Sequence, residues 1–336
     1  MMRAMICPNP ASINGLVLLD VPAPEPPKAG EITVALRASS LNYHDLAVVA
    51  GAIPTADGRV PLSDGAGEIT AIGENVTGYA IGDLVVSLFF PYWHDGDALP
   101  NTLACIPGDS THGYACEFVT APASWFTRAP SNYDAAQAAT LTCAGLTAWR
   151  ALKVNGDLKA GQTVLVMGSG GVAIFALQFA KALGAHVIAT SSSDTKLERL
   201  TALGADHVIN YKDQPKWGKA VLELTGGIGV EHVVEVGGAG TLSQSIIAAG
   251  NSGHIALVGI LAGFAGPVNT ALIMSKQLRV QGLTVGSRAH QLEMIAAIEA
   301  FSIKPILDSR FPLSQLAAAF NYQQSGAHFG KIVIDI

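Results

Sequence analysis

A doubly wound α/β fold, a parallel sheet with helices on both faces, is predicted for residues 127–286. Three observations carry it. Residues 161–196 read as apolar strand, glycine turn, helical pattern and apolar strand, which is a βαβ unit. Short β-branched runs then alternate with helical patterns to residue 285. The chain is also 49% hydrophobic and 14% charged with 36 glycines, a composition suited to a sheet buried on both faces.

In order, the predicted strands are Thr163–Met167, 186–189, His207–Asn210, 230–236, 254–260 and 279–285, with helices to Gly184 and over 195–203. The first turn reads Gly168-Ser169-Gly170-Gly171-Val172-Ala173, a G-x-G-x-x-A pattern between strand and helix. The first glycine permits a sharp turn, the second lets backbone approach a pyrophosphate, and the alanine keeps helix and strand close. The helix N-terminus offers N–H donors to the anion. Dinucleotide binding is therefore expected.

Residues 1 to about 40 read as short strands broken by turn chemistry, with a proline-rich connector, VPAPEPPKAG. Ser39-Ser40-Leu41-Asn42-Tyr43-His44-Asp45 leads into a short helix, and strands are expected at 69–72 and 82–86. Residues 89–116 carry aromatics, glycines and prolines without periodicity, a long loop of the kind that is often functional. After residue 286 the tail reads as helix, helix and strand and is expected to rejoin the first part. The expected domains are thus 1–126 with 287–336, and 127–286.

A net charge of −6 argues against a nucleic-acid backbone as partner. The longest apolar-looking segment, 255–268, is interrupted by glycines and a proline and falls short of the ~20 residues a membrane span needs. The first ten residues lack the apolar core of a secretion signal. Cys7, Cys105, Cys116 and Cys143 share no C-x-x-C spacing, so neither a disulfide framework nor a zinc ribbon is indicated. A cytoplasmic protein is expected.

A carboxylate about 20 residues past the glycines would hold the ribose hydroxyls of NAD. Here the second strand runs into Thr190-Ser191-Ser192-Ser193, then Asp194 and Lys196. Hydroxyls and a lysine suit a 2′-phosphate, so NADPH is favoured over NADH. Asp194 is expected to N-cap the next helix. The alternative for Lys196 is simple solvation of that helix.

Taken together, ASSLNYHD, DGAGEITAIG, LTCAGLTAW, the glycine turn and the closing HFGKIVIDI resemble the medium-chain dehydrogenase/reductase superfamily over nearly the whole chain. The resemblance implies a GroES-like β-rich catalytic domain beside a Rossmann domain. It implies a 2′-phosphate site at Lys196 and Tyr211. It also implies a nicotinamide site against Thr147, Val236-Gly237, Val258-Gly259-Ile260 and Val285-Gly286-Ser287. It further implies a homodimer. Zinc members place Cys, His and Cys around the metal; the matching positions here are Asn42, Ser63 and Cys143. An amide and a hydroxyl do not replace an imidazole and a thiolate, and the four cysteines of the structural-zinc lobe are also missing. No metal is expected.

Hydride addition builds negative charge on an acceptor's oxygen. Without a Lewis acid, hydrogen-bond donors must stabilise it, which suits quinones and α,β-unsaturated ketones. Asn42 and Tyr43 are the candidate catalytic donors. Tyr92, Trp93 and Phe264 are candidate pocket residues, and Lys331 is a candidate phosphate or substrate contact. The competing readings are a metal-free alcohol dehydrogenase or carbonyl reductase, and an NADPH-binding protein without turnover.

Overall fold

The computed structural model describes all 336 residues, which divide into two compact units, Met1–Leu146 with Gly286–Ile336, and Thr147–Val285. In the first unit, β1 (Met2–Ile6) and β2 (Val17–Val21) pair antiparallel. β3 (Glu31–Ser40), β4 (Ala66–Ile72), β5 (Leu84–Ser87), β6 (Phe118–Pro122) and β7 (Phe126–Arg128) belong to a larger sheet. The alternating side chains Ile32, Val34 and Leu36 of β3 point into the core with Ile69, Val85 and Phe126. Gly67 permits the close approach of β4, because a Cβ there would stand 2.1 Å from the Ala35 carbonyl oxygen.

In the second unit, β8 (Thr163–Met167), β9 (His186–Ser191), β10 (His207–Asn210), β11 (Val230–Glu235), β12 (Ala249–Leu257) and β13 (Arg279–Gly282) form one parallel sheet. Its order is β10-β9-β8-β11-β12-β13. This is the doubly wound order whose direction reverses between the first and fourth strands of the sheet, here β8 and β11, and ligands bind beyond the strand ends at that reversal. Val164, Leu165 and Val166 are wholly buried, as a strand covered on both faces requires.

The chain then returns to the first unit through the helix Arg288–Phe301, β14 (Leu307–Pro312), the helix Leu316–Gln324 and β15 (Lys331–Asp335). The sheet there runs β14-β15-β3-β4-β5-β7, with β6 also on β3. β15 lies antiparallel to β3 with Val333 opposite Ser40, and this register carries Lys331 to Leu41 and Asn42.

The boundary differs from the sequence expectation. Residues 127–146 belong to the first unit, because β7 pairs with β5 and the short helix Ala135–Ala138 packs on β3 and β4. Only from Thr147 does the chain join the parallel sheet's unit. No helix is long and apolar enough to cross a membrane.

Candidate active site

In the first unit, β3 ends at Ser40 and the helix Tyr43–Val49 begins two residues later, with Asn42 as its N-cap. The Asp45 carboxylate folds back on the cap. One oxygen accepts from the Asn42 backbone N–H at 3.0 Å and from the Asn42 side-chain amide at 3.1 Å. The other accepts from the Ser63 backbone N–H at 2.8 Å. Burial pushes the Asp45 carboxyl up, but His44 and the Ser63 donors outweigh it and hold it below the ordinary value. Asp45 is an anionic anchor rather than an acid.

Lys331 completes the cluster. Its ammonium donates to Leu41 O at 2.7 Å, to Asn42 Oδ1 at 2.6 Å and lies 3.4 Å from Asp64 Oδ2. These partners fix the Asn42 amide: its oxygen must meet the ammonium and its nitrogen the Asp45 carboxylate. Asp64 also accepts from Ser40 Oγ at 2.6 Å, and burial raises its carboxyl to about 6 despite the Lys331 charge. Both Asp64 and Lys331 are inside the protein, at 0% and 3% exposure.

This arrangement corrects two expectations. Lys331 is not a phosphate contact, since its three donors are engaged inside the protein. Asn42 is braced at both ends of its amide, with its remaining N–H toward Ser63 Oγ at 3.5 Å. It therefore positions the start of the helix instead of offering a free donor. Tyr43, the next residue, is half exposed, and its hydroxyl makes no hydrogen bond within the protein. His44 sits between Asp45 and Asp109, with Nε2 3.3 Å from Asp109 Oδ2, and packs edge-on to Phe89. Cys143 lies partly exposed in the π-helical turn Leu141–Gly145.

Two of the aromatic candidates differ from each other within this unit. Tyr92 is half exposed and meets Trp125 edge-on. Trp93 is buried, packs between Phe90 and His290, and its indole N–H donates to Gly96 O at 3.0 Å. It offers no face to an acceptor. Ser287 is likewise buried, and its hydroxyl caps the helix Arg288–Phe301 by accepting from the His290 N–H at 3.3 Å.

In the second unit, Gly168 turns out of β8 with φ of +81°, a conformation glycine adopts without the Cβ penalty. Gly170 is different. Its φ is −79° and a Cβ there would meet nothing within 4 Å, so nothing in the protein itself requires glycine. The open space lies at the N-terminus of the helix Gly171–Ala182, whose cap has no side-chain acceptor. A backbone that leaves room and N–H donors at this point fits a pyrophosphate.

Beyond β9, Ser191 is nearly buried and its carbonyl accepts from the Tyr211 N–H at 3.1 Å. Ser192 and Lys196 are partly exposed, and Tyr211 is 39% exposed. These groups cluster at the ends of β9 and β10. Asp194 does not cap its helix as expected. Ser193 occupies that position, while the Asp194 carboxylate accepts from Asn210 Nδ2 at 2.7 Å.

Val236-Gly237 leave β11 in a turn pinned by Glu235, a buried residue the sequence reading passed over. One Glu235 oxygen accepts from Gly237 N at 2.7 Å, Gly238 N at 3.1 Å and Thr241 Oγ1 at 2.6 Å, and the other accepts from Ser245 Oγ. Val258-Gly259-Ile260 follow β12 directly, and Thr147 is buried at the unit's start. Phe264, 89% exposed, stands on the loop after them.

Two family models match this chain, the alcohol dehydrogenase GroES-like domain over residues 28–131 and the zinc-binding dehydrogenase over 171–302. A zinc-type alcohol dehydrogenase-like protein of Schizosaccharomyces pombe is 42% identical over 321 residues, 93% of each chain. The chain belongs to the medium-chain dehydrogenase/reductase superfamily, in its zinc-type alcohol dehydrogenase-like branch. A solved NAD-dependent alcohol dehydrogenase superposes with a TM-score of 0.91 at 33% identity, covering 100% of both chains. A mycobacterial structure complexed with NADPH gives 0.84 at 28% identity, also over 100% of both. Like these relatives, this superfamily member is an oxidoreductase.

Membership makes the metal positions a question of donor chemistry. Asn42 Oδ1 already accepts from a cationic ammonium, and Ser63 presents a neutral, wholly buried hydroxyl. Cys143 alone is a thiol. One thiolate beside an amide already engaged with a positive charge does not make the three-ligand set that catalytic zinc requires. The residues present do not fit the metal.

Proposed function

We propose that this enzyme is an NADPH-dependent, zinc-independent reductase of quinones or α,β-unsaturated ketones. The observation that carries the reading is the Lys331–Asn42–Asp45 network. At the position where zinc members carry a ligand, this chain has an amide fixed by its own ammonium and carboxylate. Gly168, Ser169, Gly170, Gly171 and Val172 would hold the pyrophosphate, and Ser191, Ser192, Lys196 and Tyr211 the 2′-phosphate. Thr147, Val236, Gly237, Val258, Gly259, Ile260, Val285 and Gly286 would hold the nicotinamide half. Bound NADPH would supply the hydride.

The chain's own residues then have distinct tasks. Asp45 and Lys331 lock Asn42, and Asn42 sets the first turn of the helix that presents Tyr43. Tyr43 donates a hydrogen bond to the acceptor oxygen, and an acceptor that delocalises its new charge asks least of such a neutral donor. Tyr92 contributes apolar surface for the acceptor. The physiological partner we infer is a second copy of the chain, joined along β13, whose four residues are all exposed.

The test is NADPH oxidation by purified enzyme across quinones, enones and simple ketones, with Tyr43→Phe alongside. The reading expects turnover of quinones or enones, reduced in Tyr43→Phe by about tenfold or more, the scale of losing one well-placed donor or acid. Consumption of simple ketones alone would refute the acceptor class. Tight NADPH binding with no oxidation across the panel would instead mark a binding protein.

A further inference from the structure

The segment after β13 carries a backbone feature that its sequence does not demand. Val285 has φ of +44°, in the left-handed region that β-branched residues avoid. It is also buried, at 5% exposure. Something must hold it there, and Arg150 is hydrogen-bonded to the turn. One guanidinium nitrogen of Arg150 donates to the Thr284 carbonyl at 3.1 Å and to the Val285 carbonyl at 3.4 Å. Arg150 is itself 9% exposed, in the π-helical segment Arg150–Val154, and burial pulls its guanidinium below the ordinary value. Taking an arginine from water to face two carbonyl oxygens carries a desolvation cost, so the contact is an expensive way to fasten a loop.

Peptide geometry says what the contact achieves. Both peptide bonds are trans, so each carbonyl and the N–H that follows it point in opposite directions. With the Thr284 and Val285 carbonyls turned to Arg150, the N–H groups of Val285 and Gly286 are turned away from it. Neither N–H has a hydrogen-bond partner within the protein. Buried N–H groups are nearly always paired, and two adjacent ones without partners mark a place built to receive an acceptor.

We propose that Arg150 is a positioning residue for the cofactor, one that orients the Val285 and Gly286 N–H groups toward the carboxamide oxygen of the nicotinamide. The proposal rests on the cofactor reading above and deepens it. In the role assigned to it, Arg150 needs no contact of its own with cofactor or acceptor. It acts by stabilising the strained turn that presents the donors, and backbone strain of this kind persists only where the surroundings over-determine it.

The experiment compares two ligands on one protein, NADPH and the fragment 2′-phosphoadenosine diphosphoribose, which lacks the nicotinamide, each by titration calorimetry. Arg150→Met is expected to weaken NADPH by about tenfold or more, as loss of charge-assisted positioning implies, with the fragment within about twofold of wild type. Unchanged fragment binding also reports that the nucleotide unit is folded. Adding Val285→Gly is expected to recover part of the lost affinity, since glycine holds a positive φ without help. Arg150→Lys, which keeps the charge and can reach one carbonyl, is expected to fall between wild type and Arg150→Met and serves if the methionine variant does not fold. Equal losses for both ligands, or no loss for either, would overturn the proposal. Failure of the wild type to bind either ligand would overturn the cofactor reading instead.

Discussion

Replacing Lys331 by methionine tests the network at the centre of the first unit. The substitution keeps much of the side chain's apolar length and removes its ammonium, leaving the Leu41 carbonyl, Asn42 Oδ1 and Asp64 Oδ2 without their donor. A buried acceptor left unsatisfied costs about 1–3 kcal/mol, and breaking a buried ion pair costs about 3–5 kcal/mol in total. Asp64 has an escape. Burial already raises its carboxyl to about 6, and without the lysine it keeps a proton at neutral pH. The expected cost at pH 7 is therefore near the lower end, ~3 kcal/mol, read from urea unfolding of the first unit's transition. Adding Asp64→Asn, which is neutral without needing a proton, should recover part of that. The pH dependence has a definite sign. The native carboxyl keeps its proton above the pH at which the unfolded one loses it, so this group's contribution falls as pH rises from about 4 to about 6. Asp64→Asn should remove that slope. A cost of Lys331→Met under ~1 kcal/mol, or no recovery from Asp64→Asn, would refute the reasoning.

Three further outcomes are expected. Lys196→Glu should shift preference from NADPH toward NADH, measured as the ratio of kcat/KM for the two, because a carboxylate repels a 2′-phosphate; an unchanged ratio would place the phosphate elsewhere. Gly170→Val should fold with an unchanged melting temperature, since its backbone and surroundings accept a side chain, and yet lose NADPH binding by titration. His232 and His254 are buried side by side and burial lowers both to about 4, so they stay neutral where unfolded histidines protonate. Their contribution is full above about pH 6.5 and lost as pH falls to about 4, and His232→Gln/His254→Gln should flatten acid unfolding over that window.

Much of the second unit was legible because its signals are local. β8 and β10 have the bounds their apolar runs imply, and the glycine turn joins strand to helix as the fingerprint requires. β12 begins at Ala249, earlier than expected, because Ala249 pairs with Val230 while the irregular stretch that follows, Gly250 to Gly253, gives no apolar pattern. β14, Leu307–Pro312, was missed: its side chains are mostly half-exposed and polar, and its partner β15 lies beyond an intervening helix. The first unit hid more. Asn42 and Tyr43 were visible as a constellation, but Lys331 meets Asn42 across 289 residues and Asp64 across 267, and no spacing rule reports such pairs. Trp93 read as a pocket aromatic because loops often bear function, whereas its indole serves the loop's own packing. Arg150 gave no signal at all, since a helix arginine usually faces solvent.

The most direct test of the central claim is turnover after metal removal. Enzyme dialysed against a strong chelator, with zinc content measured by elemental analysis, is assayed for NADPH oxidation with a quinone and an enone. The account expects less than about a tenth of a zinc per chain and unchanged kcat, because hydrogen-bond donors rather than a three-ligand metal serve the acceptor. Loss of activity on chelation, restored by added zinc, would contradict it.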